Sequence, residues 1–229
     1  MPTVAQLVSD VELQVYQGLP SDDAELDPRQ IKFWLSNNLN ALVATECNSK
    51  LAKDEQIPVI YKKRLIQAIP ESQEEGKQDR IVVELNVDVL VLNKDAGIIR
   101  VITDAGDIVT KMSVETINML RYMPYASPSI ENLIYYRAGK NLFIEGLKPV
   151  DLPFTELYID YVPKQDLLSL EDTDEVLVSD LVLPQLISSV VDLAKQELYG
   201  SQKDLTNDGV DNTESLYHQQ IKRNELPDA

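Results

Sequence analysis

The chain has 229 residues, 44% of them apolar, which is enough to bury a sizeable core. Its 38 acidic and 21 basic side chains give a net charge of −17, which disfavours binding to nucleic acid or anionic membrane surfaces. Cys47 is the only cysteine, which excludes an intrachain disulfide. The only histidine, His218, lies in a polar tail, which argues against histidine-based catalysis or metal binding.

The N-terminus lacks the basic and apolar regions of a secretory signal. No apolar run approaches the ~20 residues that span a bilayer. We therefore expect a soluble protein, made in a cytoplasm and without membrane contact.

Two helices are predicted first, as an N-terminal helical hairpin over residues 1–56. Apolar residues at helical spacing predict a helix from about Thr3 to Gln17. A second helix is predicted over about 28–47, because Asp27 is a candidate N-cap and Pro28 suits the first helical position. So small a pair has little core of its own, so we expect it to pack on the rest of the protein. The apolar residues of the first helix are Val4, Leu7, Val8, Val11 and Val15.

From residue 57 the apolar pattern becomes alternating or continuous, with many β-branched residues, as in strands. Tight hairpin connections are predicted at Asn93–Gly97, Asp104–Asp107 and Ala138–Lys140, because Gly and Asn tolerate positive φ. Ser113–Leu120 is predicted as a short helical turn. The region 57–178 is therefore expected to be an antiparallel β core, sandwich-like, with one wet and one dry face. The predicted strands are 57–68, 80–92, 97–103, 107–112, 131–137, 140–146 and 155–162.

The clearest helix is predicted at about 180–199, within a segment 179–200 that Ser179 or Asp180 can cap and Gly200 can end. Residues 201–229 follow as a polar stretch with few apolar anchors, which cannot offset its ordering entropy alone. We predict an α+β fold that ends in this extended assembly arm, ordered against a neighbouring copy or ring. The anchors are Leu205, Val210, Leu216, Tyr217, Ile221 and Leu226.

No motif in the chain predicts catalysis. Asp204, Asp208 and Gly209 match the opening of an EF-hand calcium loop, but Asp211 and Ser215 break the pattern. The eight glycines form neither a P-loop nor a dinucleotide-binding motif. We therefore predict no catalytic, cofactor-binding or metal-binding residues, and no enzyme.

The densest basic cluster is Lys62, Lys63 and Arg64. It lacks the interleaved aromatic residues of single-strand-binding surfaces. We predict that these side chains contact acidic residues of a neighbouring copy.

Three features together carry a resemblance to a known family: the N-terminal segment DDAELDPRQI, the antiparallel middle, and VSDLVLPQLISSVVDLAKQELYGSQKDLTNDGVDN. The chain resembles head–tail connector and tail ring structural proteins of podovirus-like, crAss-like bacteriophages. The resemblance implies a virion protein at the head–tail junction or in the tail. It implies a homo-oligomeric ring, commonly 12-fold, that joins the portal to other connector or tail rings for genome ejection.

Charge distribution fits a conduit through which DNA passes without specific binding. Residues 145–229 contribute −12 to the net charge, and negative walls repel phosphates. The alternative is an acidic cytosolic protein-binding module that recruits a basic partner and remains a free monomer.

Overall fold

A computed structural model describes residues 1–16, 26–69, 80–123, 127–129, 131–146 and 154–198. These residues contain four α-helices and a seven-stranded, mostly antiparallel sheet, which confirms the predicted α+β class. The chain divides into two compact units. The first unit comprises Met1–Leu39 and Asp166–Ala229, and the second comprises Asn40–Gln165.

Helix α1 (Val4–Val15) belongs to the first unit and buries all five predicted apolar residues. Thr3 caps it: its hydroxyl accepts from the Gln6 N–H at 3.3 Å, and the Gln6 side chain accepts from the Thr3 N–H at 2.9 Å. This reciprocal capping box satisfies two N–H groups that have no partner within the helix. The predicted first helix is confirmed.

Helix α2 (Pro28–Ala52) begins at the predicted proline, and Asp27 Oδ1 accepts from the Arg29 N–H at 2.8 Å. It extends beyond the predicted end near residue 47, because no helix-breaking residue follows there. Asp54, with a φ of 56°, lies in the turn that follows the helix. Residues up to Leu39 belong to the first unit and those from Asn40 to the second.

Helix α4 occupies residues 183–198 of the first unit, close to the predicted range. Ser179 is confirmed as the cap, since its hydroxyl accepts from the Val182 N–H at 3.3 Å. The predicted stop at Gly200 lies outside the described residues. One side of the helix is buried through Leu186, Ile187, Val190, Val191 and Ala194.

The sheet lies in the second unit, with the strand order β1-β7-β3-β4-β5-β6-β2. Neighbouring strands pair antiparallel except β4 and β5, which pair parallel. Apolar side chains from strands across the sheet form one buried cluster that includes Ile81, Val101, Leu142 and Leu157. The strands are β1 (Lys63–Ala68), β2 (Arg80–Glu84), β3 (Ile98–Thr103), β4 (Ile108–Lys111), β5 (Ile134–Ala138), β6 (Asn141–Glu145) and β7 (Glu156–Tyr161).

The predicted strand 80–92 is wrong in its second half, because β2 ends at Glu84. The next backbone groups bind two different neighbours: the Leu85 N–H donates to the Lys140 carbonyl at 2.9 Å, and the Leu90 N–H to the Val162 carbonyl at 2.8 Å. The hairpin predicted at Asn93–Gly97 is also wrong, since β2 pairs with β6 and not with β3. A short 3-10 turn, Asn93–Asp95, occupies that place.

Two other predicted hairpins are confirmed, and glycines with positive φ lie in both. Gly106 (φ 96°) lies between β3 and β4, and Gly139 (φ 63°) lies between β5 and β6. The predicted helical turn is helix α3 (Val114–Leu120), capped by Ser113. The first predicted strand begins late, at Lys63, because a 3-10 turn (Val59–Tyr61) precedes it.

Candidate functional site

A cleft of about 750 Å³ lies in the second unit, lined by the end of α2, the loop after it and parts of β3, β4 and β7. This volume is typical of sites that hold a small ligand or a few side chains of a peptide. Part of the lining is apolar and the rest is mostly charged. The apolar residues are Leu51, Ile57, Ala96, Ile98 and Ile99.

Cations outnumber carboxylates in the lining, which includes Lys62, Lys94, Arg100 and Lys111 against Glu55 and Asp160. Both carboxylates are already neutralised: Lys50 donates to Glu55 at 2.6 Å, and two arginines bind Asp160. Neither Lys62 nor Lys94 forms an ion pair within the part of the chain that the structure describes. The cleft therefore presents positive charge on a strongly acidic protein.

Lys111 is bound to the turn that carries Lys94. Its ammonium group donates to the carbonyl oxygens of Lys94, at 2.8 Å, and of Asp95. Lys94 and Asp95 both have a φ of 54°, in the left-handed region. Burial lowers the pKa of Lys111, and the nearby Asp95 carboxylate partly opposes this effect. An anion bound in the cleft would favour the charged form of Lys111.

Asp160, on β7, connects three neighbouring strands through ion pairs. The register places Arg64 of β1 and Arg100 of β3 directly opposite it. Arg64 Nε lies 2.7 Å from Asp160 Oδ1, and Arg100 Nη2 lies 2.9 Å from Asp160 Oδ2. These hydrogen bonds, that of Arg64 first, lower the pKa of Asp160. The network holds one wall of the cleft in place.

The structure separates the three residues of the predicted basic cluster. Lys62 is half-buried and lines the cleft, whereas Lys63 begins β1 and is exposed. Arg64 is engaged within its own chain by Asp160. Contact with a neighbouring copy stays a prediction for all three residues, since Arg64 is half exposed beside Asp160. The other predicted interaction residues lie outside the described residues: Leu205, Val210, Leu216, Tyr217, Ile221 and Leu226.

Sequence reasoning missed three of the cations that line the cleft, because they are far apart along the chain. Lys94 precedes β3, Arg100 lies within β3, and Lys111 ends β4. The β3–β4 hairpin returns the end of β4 to the start of β3, which brings Lys111 to the Lys94 turn. The hairpin predicted at Asp104–Asp107 already implied that the end of β4 lies beside the start of β3.

A second surface feature of this unit is an exposed apolar stretch on α3 and the turn after it. Ile117 is its buried anchor, while Tyr122 is 88% exposed. Several exposed apolar side chains within one short segment make that segment a candidate interface. The exposed apolar residues are Val114, Met119, Tyr122 and Met123, named here the α3 patch.

Within the described ranges, no group of three or more His, Cys, Asp or Glu residues is arranged to hold a metal ion. Burial raises the pKa of the Cys47 thiol to about 11, so little reactive thiolate forms at neutral pH. None of the helices in this part of the chain has the length and apolarity that a membrane span needs. His218 and the segment that begins like a calcium loop lie outside it.

Comparison with known proteins agrees with the resemblance in the sequence. A family model described as phage tail ring protein 2, from the crAss-like phages, matches residues 6–219. A search among curated proteins found no match. The match covers most of the chain, including all of the second compact unit and most of the first. A tail ring is a structural part of the virion. Because the family model matches most of its length, this chain belongs to the phage tail ring protein 2 family.

Proposed function

We propose that the protein forms a closed homo-oligomeric ring in the head–tail connector or tail, and acts as an adaptor between the portal and the tail layers. The match of residues 6–219 to tail ring proteins is the observation that carries this proposal. A ring closes through heterologous contacts, in which two different surfaces of each copy meet. Twelve copies are expected from the resemblance, assembled after synthesis in the host cytoplasm.

The α3 patch is suited to one of these contacts. Its apolar side chains lie within a single stretch, and Ile117 anchors the helix to the unit. Covering such side chains with a neighbouring copy would remove apolar area from water, which is the main favourable term in association.

The lumen of the ring is proposed to conduct DNA during genome ejection. A net charge of −17, with −12 from residues 145–229, makes the protein repel phosphates. Repulsion keeps affinity low, so that DNA passes without specific binding. No chemical step is needed for this role, and we propose no enzymatic activity.

The C-terminal arm, residues 201–229, is proposed to become ordered against an adjacent copy or ring. Its apolar anchors are too sparse for a core but are spaced to fill successive small pockets. Lys62 and Lys63 lie on the second unit, named here the sheet unit as the first is named the helical unit, and are proposed to contact acidic groups of such a neighbour.

Comparing the full-length protein with a chain truncated after Gly200 tests this function, each alone and mixed with the portal protein. We expect the full chain to assemble and the truncated chain to need at least about tenfold more protein for half-assembly. The thermal midpoints should nearly agree, because the arm has few apolar anchors. Equal assembly would make the arm a solubilising tail, and an unfolded truncated chain would place the domain boundary elsewhere.

A further inference from the structure

We infer that the cleft in the sheet unit is the receptor for the arm of an adjacent copy, and that it binds the acidic stretch 204–216. The inference rests on the proposed ring, since it needs an adjacent copy. It adds an identified binding site and an identified segment to the proposal that the arm orders on a neighbour.

Charge complementarity supports this pairing. The stretch 204–216 contains four acidic residues and no basic residue: Asp204, Asp208, Asp211 and Glu214. The cleft offers Lys62 and Lys94, which have no ion-pair partner among the described residues, and Lys111, whose charged form is disfavoured by burial. A carboxylate that enters the cleft can form a charge-assisted hydrogen bond with a lysine that has no ion-pair partner.

The order of side chains in the stretch also fits. In an extended chain Asp208 and Val210 are two residues apart and point to the same face, with about 7 Å between their Cα atoms. The cleft likewise combines an apolar surface, including Ile57 and Ile98, with lysines around it. Val210 can fill the cleft while the Asp208 carboxylate on the same face reaches a lysine.

Two other occupants fit the cleft less well. Duplex DNA would leave the apolar lining of the cleft uncovered, because its contacts are mainly to phosphate and sugar. The acidic stretch around residues 171–175 is engaged in its own unit, because Asp172 pairs with Lys32 at 2.7 Å. The stretch 204–216 also lies within the matched residues 6–219, whereas 220–229 does not.

A charge-swap experiment tests the inference on the full chain. One variant carries Lys62→Glu and Lys94→Glu, so that both its cleft and its arm are acidic. The other carries Asp208→Lys and Asp211→Lys, so that the part of its arm around Val210 is basic, as its cleft is. In a ring of either variant alone, the arm and the cleft of the next copy carry charge of the same sign and cannot pair. In a ring in which the two variants alternate, the acidic arm of the first meets the basic cleft of the second, and the basic arm of the second meets the acidic cleft of the first.

We expect each variant alone to need at least about tenfold more protein than wild type for half-assembly. An equal mixture should assemble as wild type does. Lys164→Glu is the matched control, because Lys164 is an exposed lysine of the same unit outside the cleft, and it should change assembly little. Circular dichroism and thermal midpoints, expected to match wild type, check that the variants fold.

Three results would overturn the inference by itself, and a fourth would remove the proposed function with it. Wild-type assembly by both variants would show that the cleft does not bind the arm, while leaving the ring itself intact. Rescue only when all four changes are in one chain would show that each arm binds its own cleft. Wild-type binding to duplex DNA that Lys62→Glu and Lys94→Glu abolish would assign the cleft to nucleic acid. A wild-type chain that forms no ring, alone or with the portal protein, removes the proposed function and this inference together.

Discussion

The two compact units use their polar side chains in different ways. In the helical unit, Thr3, Asp27 and Ser179 each accept a hydrogen bond from a backbone N–H at a helix start. Helix starts leave N–H groups without partners, and these side chains supply them. In the sheet unit the strand ladders satisfy much of the backbone, so residues such as Asp160 can form networks between side chains instead. Polar side chains of the sheet unit are therefore available to bind a partner.

Loss of core packing should have the largest effect and should affect both units alike. Leu35 in the helical unit and Leu142 in the sheet unit are fully buried. Leu35→Ala and Leu142→Ala should each lower the free energy of unfolding by about 2–5 kcal/mol. Urea denaturation measures this. The controls Leu181→Ala and Val91→Ala truncate side chains that are 75% and 78% exposed and should have little effect. An unchanged free energy of unfolding after either leucine substitution would contradict the described core.

Close backbone approach is a special requirement of the sheet unit. A Cβ atom at Gly97 would lie 2.1 Å from the Leu90 carbonyl oxygen, which requires the backbone to move. We expect Gly97→Ala to cost at least about 2 kcal/mol of stability. A Cβ atom at Gly106 would meet open space, but the φ of 96° is unfavourable for alanine. Gly106→Ala should therefore lower the free energy of unfolding by about 1 kcal/mol. Thermal unfolding of the pair checks the order, and an equal cost would contradict the close approach at Gly97.

Loss of the capping box in the helical unit should lower the free energy of unfolding by a smaller amount, and salt should not change that amount. Thr3→Ala removes the oxygen that accepts from the Gln6 N–H. We expect it to destabilise the protein by about 1 kcal/mol, equally at low and high salt. Thr3→Ser keeps the oxygen and serves as the matched control. A loss that disappears at high salt would show that the contribution is electrostatic.

The ion network of the sheet unit should show the smallest effect, and salt and acid should both reduce it. Asp160→Asn is expected to cost about 0.5–1 kcal/mol at neutral pH and low salt. The pKa of Asp160 is lowered in the folded protein, so its contribution is present above the ordinary value of 3.8 and is lost as pH falls through the folded-state pKa. The difference between wild type and variant should therefore shrink at acid pH. A difference that grows as the pH falls would have the wrong sign for this network.

Much of the helical unit could be predicted from the sequence, because its features are local. The apolar spacing of α1, Pro28 at the start of α2 and the cap at Ser179 all act within a few residues. The individual strands were also largely predictable from their alternation. Which strands pair was not, because a period of two does not specify a partner.

The cleft could not be predicted, because long-range pairing creates it. The misjudged strand 80–92 shows the reason: Leu85 and Leu90 donate to parts of the chain that lie far away in sequence, near Lys140 and Val162. Only Lys62 of the cleft cations was identified, and it was identified as part of a cluster that the fold then separates. Cations that are dispersed in the sequence give no local signal, and only the predicted hairpin between β3 and β4 indicated that Lys111 approaches the Lys94 turn.

The most direct test of the account is the copy number and symmetry of the assembled protein, measured by cryo-electron microscopy of the purified chain, alone and with the portal protein. We expect closed rings of one copy number, twelve by the resemblance, in which lateral contacts cover the α3 patch. A protein that stays monomeric at high concentration and does not join the portal protein would contradict the ring and support an acidic protein-binding module.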